Sequence, residues 1–374
     1  MDMATLRRHP DVEGQGLVAV DAADRLILDE AADLVTGAGA HAVVVIDDAY
    51  GALTLGAMDA GAAQVRTHQD LVTGRRALVA NADRLGLNDF DQISLSADAV
   101  ADARVVLLRL PRSLERLAEV AALVAAHANP DVVVVAGGRI KHMSRQMNDV
   151  LGAVFEQVDV SHARQKSRVL FARKPRRDAA GRALASWPRR DRHDDVGLDV
   201  VAHGGVFAGT KIDIGTRLLL NSLANAPIEA HTAVDLACGS GIVGSWLALH
   251  RPDLRVTATD RSAIAVASAR ATAAANGLTD RVDVVQADGL ETLPDGSQEL
   301  IVLNPPFHTD AALSVGIAEH LFIDAARTLA GGGELWCVWN SHLRYRPALE
   351  RIVGPTRQIA RNTKFTVTAS TRRT

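Results

Sequence analysis

The chain has 374 residues, 48% of them hydrophobic and 23% charged, with a formal net charge of −3. That length suffices for two domains that each bury a core, and no apolar run reaches the roughly 18 residues that span a bilayer, so no membrane partner is expected. Two cysteines, Cys238 and Cys337, are too few for a disulfide framework or a four-thiolate zinc site, and no metal is expected.

The chain opens Met1-Asp2-Met3-Ala4-Thr5-Leu6-Arg7-Arg8-His9-Pro10, which lacks the apolar core of a secretory leader and predicts a cytosolic protein. Ala42-Val43-Val44-Val45-Ile46 reads as a strand running into Asp47-Asp48-Ala49-Tyr50-Gly51, and Arg104-Val105-Val106-Leu107-Leu108-Arg109-Leu110-Pro111 as a later one. The stretch from Arg164 to Arg192 is rich in arginine, a solvated face or linker when taken alone, and a second basic cluster runs from Arg344 to Arg373. From Thr232 onward short β-branched runs alternate with Ala-rich segments of helical spacing, as in a doubly wound parallel sheet. The predicted strands are Thr232–Leu236, Arg255–Asp260, Arg281–Gln286, Glu299–Asn304 and Gly333–Trp339, with a helix over Ala263–Asn276 stopped by Gly277.

Shifted by 190 positions, the N-terminal half follows the C-terminal half in order: Gly51 falls on Gly241 and Asp70 on Asp260. This is the mark of a duplication whose first copy has lost its equipment, since Ala49 stands at Gly239 and the Arg104–Pro111 strand ends without the tip described below. An unrelated α/β domain is the alternative. The boundaries are residues 1–175 for a degenerate first domain, 176–195 for a basic linker and 196–374 for a catalytic domain.

In such a sheet, ligands bind beyond the carboxyl ends of the strands, and the first strand-to-helix turn is the usual place. Asp235-Leu236-Ala237-Cys238-Gly239-Ser240-Gly241 occupies that turn, and Gly239 and Gly241 permit close backbone approach. Asp260, with Arg261 after it, ends the second strand, where a carboxylate can accept from both hydroxyls of a ribose; a helix N-cap is the plainer role. Asp288, before Gly289, can accept from an adenine amine or simply make a turn. A nicotinamide dinucleotide would fit this loop equally well. The fourth strand decides against it, because it ends in Asn304-Pro305-Pro306-Phe307-His308.

An exocyclic amine or amide nitrogen is a poor nucleophile, its lone pair delocalised. The Asn304 side-chain oxygen and the Pro305 carbonyl can accept its two N–H bonds and turn the lone pair towards a methyl sulfonium. Pro305 and Pro306 hold those acceptors rigidly, and Phe307 offers a face for a planar base. His308 contacts substrate or caps the next segment. S-adenosylmethionine is therefore the expected cofactor.

Gly239 to Gly241, Asp260 and Asn304–His308 resemble class I methyltransferases of the small-domain group. The segment Gly204–Leu220 narrows the resemblance to bacterial ribosomal RNA guanine-N2 methyltransferases of the RsmC and RlmG type, and Ile46–Leu53, Val106–Leu114, Trp339–Leu343 and Asn362–Phe365 place it nearest the RlmG branch. The resemblance implies two tandem Rossmann-like domains, the first degenerate, a monomer, and methylation of a guanine N2 in ribosomal RNA or a ribosomal subunit, the large subunit favoured. It implies cofactor-mouth roles for Phe207, Asp213 and Gly215, for which a structural part in entering the helix is the alternative. Two departures stand out: Ala237 replaces a usual glycine, which costs little if φ is negative there, and Ala208 a common serine. Methylation of 16S RNA, of a protein glutamine or of a small molecule, and a silent RNA-binding assembly factor, are the rival readings; the basic segments favour RNA.

Overall fold

The computed structural model describes residues 1–14, 16–306 and 311–373, and of residues 311–315 the backbone alone. The chain divides into two compact units, Met1–Trp187 and Pro188–Thr374. Among the described residues, no helix is long and apolar enough to cross a membrane.

The first unit contains β1 (Val43–Ile46), β2 (Val65–His68), β3 (Phe90–Gln92), β4 (Val105–Arg109), β5 (Val133–Arg139), β6 (Phe155–Val160) and β7 (Ser167–Pro175), ordered β3-β2-β1-β4-β5-β7-β6. The strands β1 to β5 pair in parallel, and β7 joins antiparallel to both β5 and β6. Alternation along β1 sends Val44 and Ile46 into one core and Val43 and Val45 into the other, so helices cover both faces. The helix Ala22–Thr36 starts on an Asp21–Asp24 capping box.

The second unit begins with a hairpin of β8 (Arg189–His193) and β9 (Leu198–Ala202). Its sheet is built from β10 (Thr232–Leu236), β11 (Arg255–Asp260), β12 (Val282–Gln286), β13 (Gln298–Leu303), β14 (Leu329–Asn340), β15 (Thr356–Arg361) and β16 (Phe365–Thr371). The order β12-β11-β10-β13-β14-β16-β15 repeats the first unit strand for strand, including the antiparallel final pair. In both sheets the order reverses between the first and fourth strands, which opens a crevice at their carboxyl ends.

Residues 176–195, expected as a linker, are folded. Arg177–Leu184 is a helix of the first unit, and the Arg177 guanidinium donates to the carbonyls of Ala126 and Ala128 where the helix Leu114–His127 ends. These are the orphan acceptors of a helix C-terminus, which attract a cation. On the other side of Trp187 the hairpin belongs to the second unit. The β9 backbone is held by Thr272 and Asn276 of the helix Ala263–Ala275, and Asp191 and His193 hold Thr210.

Candidate active site

The loop after β10 is shaped by left-handed backbone. Gly239 and Gly241 have φ of 55° and 74°. A Cβ at Gly241 would lie 2.8 Å from Ala269, whereas one at Gly239 would meet nothing within 4 Å, so the first glycine lets two helices approach and the second leaves open space beside the loop. Ala237 has φ of 57°, so the negative φ at which an alanine would cost little is not met. The tertiary fold holds it in a region that costs an L-residue roughly 1–2 kcal/mol. Ala208 is also left-handed, at 59°.

Asp235, expected to touch cofactor, is buried, and its carboxylate accepts from Gly244 N at 2.7 Å. Burial, reinforced by the charge of Asp260, pushes its pKa up to about 8. The side chain therefore fixes the helix Ile242–His250 against the strand. Cys238 is buried too, and its burial raises the thiol well above its ordinary range, so it is no nucleophile. Asp260 is better placed for a ligand. One oxygen accepts from Gly239 N at 3.0 Å and the other from Ser262 N at 2.9 Å, which holds the carboxylate at the loop. Arg261 follows it, its carbonyl accepting from Gln286. Asp288 lies past β12, 3.7 Å from His320, and Gly289 has φ of 60° with a Cβ there striking Asp324.

The fourth strand β13 ends at Leu303, opposite Leu236 of β10, so Asn304 is delivered to the crevice beside the loop. Its Nδ2 donates to Thr216 Oγ1 at 3.0 Å. Its Oδ1 is buried and has no hydrogen-bond partner among the described residues. A buried acceptor left so is costly unless something fills it. Pro305 is buried and Pro306 exposed. Phe307 and His308 lie outside the described residues.

Asp213 turns out to be the N-cap of the helix Ile214–Ala224, accepting from Gly215 N at 2.9 Å, from Thr216 N at 3.3 Å and from the Thr216 hydroxyl. Gly215 is tightly packed, since a Cβ would lie 3.0 Å from Phe365 and 3.1 Å from the Asp213 carboxylate. Phe207 and Ile214 are exposed at 49% and 59%. Thr216 was not among the residues singled out in the sequence. The signal for it was Asp213 followed at the third helical position by a hydroxyl, a capping arrangement. The donor set suits a nucleoside bearing a methyl sulfonium: open space beside Gly239, a carboxylate at the end of the second strand and an orphan acceptor at the end of the fourth. Among the described residues no group of three or more His, Cys, Asp and Glu could hold a metal ion.

The basic stretches are largely engaged within the chain. Arg164 pairs with Asp29, Arg173 with Asp159, Arg190 and Arg192 with Asp199, and Arg176 donates to the Gly152 carbonyl. Arg346, Arg351 and Arg357 pair with Glu350, Glu319 and Glu334. Arg176 and Arg177 both bond carbonyls of the first unit.

A doubly wound sheet with a glycine loop after its first strand and Asn-Pro-Pro after its fourth defines a class I methyltransferase. Residues 197–369 match the family model described as methyltransferase small domain, and residues 2–176 that described as RLMG N-terminal domain. The chain is 35% identical over 369 residues to "Ribosomal RNA large subunit methyltransferase G" of Streptomyces coelicolor, covering 97% of this chain and 96% of that one. It is also 35% identical over 365 residues to the protein of that name from Pseudomonas aeruginosa strain UCBPP-PA14, at the same coverage. It belongs to the ribosomal RNA large subunit methyltransferase G family. Its fold is shared with the T. thermophilus 16S rRNA N2 G1207 methyltransferase RsmC, solved in complex with AdoMet and guanosine, at a TM-score of 0.72 and 21% identity, covering 92% of each chain.

Proposed function

We propose that this chain methylates the exocyclic N2 amine of a guanine in ribosomal RNA, of the large subunit, with S-adenosylmethionine as methyl donor. The observation that carries it is the buried Oδ1 of Asn304 at the carboxyl end of β13, which has no hydrogen-bond partner among the described residues. The family supports ribosomal RNA as substrate, and the names of the relatives support the large subunit. The protein acts as a monomer in the cytosol.

The bound cofactor supplies an electrophilic methyl group, and the overall reaction gives methylguanine, S-adenosylhomocysteine and a proton. Gly239, Asp260, Arg261, Asp288 and Gly289 would hold the nucleoside of the cofactor. Asn304 Oδ1 and the Pro305 carbonyl accept the two N–H bonds of the guanine amine. This orients the nitrogen lone pair and favours the positive charge that develops on it. No strong base is needed, because the amine becomes acidic as it is alkylated. The first unit carries no second reaction centre and serves packing and RNA binding.

The test is methylation with labelled cofactor of ribosomal RNA from a strain lacking the enzyme, followed by nuclease digestion and mass spectrometry. Label in N2-methylguanine of the large-subunit RNA is expected. Label in small-subunit RNA alone would overturn the subunit assignment, and label only in protein the RNA assignment.

A further inference from the structure

We propose that Thr216, oriented by Asp213, is a positioning residue that fixes which end of the Asn304 amide faces the nucleophile. The inference rests on the methyltransferase reading of Asn304. A carboxylate only accepts hydrogen bonds. Asp213 accepts from two backbone N–H groups of its helix and from the Thr216 hydroxyl, so the hydroxyl proton points at Asp213. Thr216 Oγ1, 6% exposed as a residue, can then offer Asn304 only lone pairs. The group 3.0 Å away must be the amide NH2, which directs Oδ1 to the other side. That oxygen is the buried acceptor without a partner among the described residues.

The opposite orientation would set the amide oxygen against a hydroxyl oxygen and turn the NH2 towards the substrate, where it would confront the N–H bonds of an amine. The chain Asp213–Thr216–Asn304 thus selects a donor-rich nucleophile, an exocyclic amine with two N–H bonds, over a ring nitrogen that offers only a lone pair. It does so from the first turn of a helix in the rigid scaffold, so orientation is set before substrate arrives.

The experiment compares full-length variants by turnover on ribosomal RNA, KM for RNA, calorimetric cofactor affinity and thermal melting. Thr216→Val keeps the shape and removes the acceptor; kcat should fall about tenfold, the scale of one hydrogen bond, with KM and cofactor affinity within about twofold of the parent. Thr216→Ser should restore kcat. Asp213→Asn caps a helix about as well as Asp, so its melting should be unchanged. Its amide can donate to Thr216 Oγ1, reverse the hydroxyl and invert the chain, so kcat should again fall about tenfold. Asn304→Ala is the control. If it alone is slow while Thr216→Val and Asp213→Asn turn over normally, the positioning role is overturned and the reading of Asn304 stands. If Asn304→Ala itself turns over normally, that reading fails and the positioning role with it. A slow Thr216→Val that Ser does not rescue, or one whose loss lies in KM, would also overturn the role.

Discussion

The two units share a strand order and differ at the two places where chemistry would occur. Ile46 faces Leu108 in one sheet as Leu236 faces Leu303 in the other, so Asp47 stands where Ala237 does and Arg109 where Asn304 does. Both Asp47 and Ala237 are left-handed, with φ of 60° and 57°, and Gly51 and Gly241 keep positive φ as well. The loop shape has survived while its contents changed. In the first unit Asp47 pairs with Arg116 at 3.0 Å and His68 at 3.1 Å across the crevice. Burial opposes ionisation of Asp47, but Arg116 and His68 outweigh it and hold its carboxyl well below the usual range. Asp48 accepts from Thr54 N at 2.9 Å as Asp235 accepts from Gly244 N. Gln69 binds the Ala49 carbonyl at 2.7 Å.

The fourth-strand tip has been converted in the same way. Asn304 reaches the third residue of a helix capped by Asp213; Arg109 reaches Asp24, the third residue of a helix capped by Asp21, and Asp21 itself at 2.7 Å. One side presents an acceptor with no partner among the described residues, the other a charge with two carboxylates on it. Comparison of the two teaches that a site can be retired by satisfying its polar groups internally, without altering the sheet.

The largest effect that tests this contrast is expected for Asp47→Ala. It leaves Arg116, 9% exposed, without its carboxylate. Stability by urea unfolding should drop by about 3–5 kcal/mol, while turnover per folded molecule is unchanged. A loss below about 1 kcal/mol would break the view that the ion pair has taken over the crevice. Next is Asn304→Ala, which should lower kcat by roughly 10²–10³ and leave folding and RNA affinity near the parent's. Near-normal single-turnover rates would erase the functional difference between the two tips. The smallest effect sharpens the backbone comparison: Ala237→Gly should stabilise by about 0.5–1 kcal/mol, as relief of the left-handed strain exceeds the added unfolded-state entropy. A lower melting temperature for Ala237→Gly would show that the alanine methyl makes contacts worth more than the strain it carries.

Much of this was legible in the sequence because it is local. The strand Arg255–Asp260 coincides with its prediction, and the helix after Ser262 stops at Asn276 before a left-handed Gly277 as its composition requires. Apolar runs such as Val43–Ile46, buried on both sides, announce parallel strands. The shift of 190 positions places Gly51 on Gly241, and both keep positive φ, but it places Asp70 on Asp260 where the strand register puts Gln69, because His68 faces Ile46 as Thr259 faces Leu236. The antiparallel pair β15 and β16 was not read, because its residues alternate and carry arginine on the edge strand.

Residue chemistry by itself determined that a loop able to approach a nucleoside is followed by a tip able to accept from an amine, since glycine, asparagine and proline have those capacities wherever they stand. Only the tertiary structure decided which capacities are free. Arginines that read as a basic linker proved to bond helix carbonyls and nearby carboxylates, and Asp235 and Asp213 proved to hold helix starts, because partners distant in sequence were brought within hydrogen-bond reach. The same packing placed Thr216 against Asn304, 88 positions away, and left one amide oxygen buried and unpaired among the described residues. An unpaired acceptor is a property of surroundings, and surroundings exist only in the folded chain.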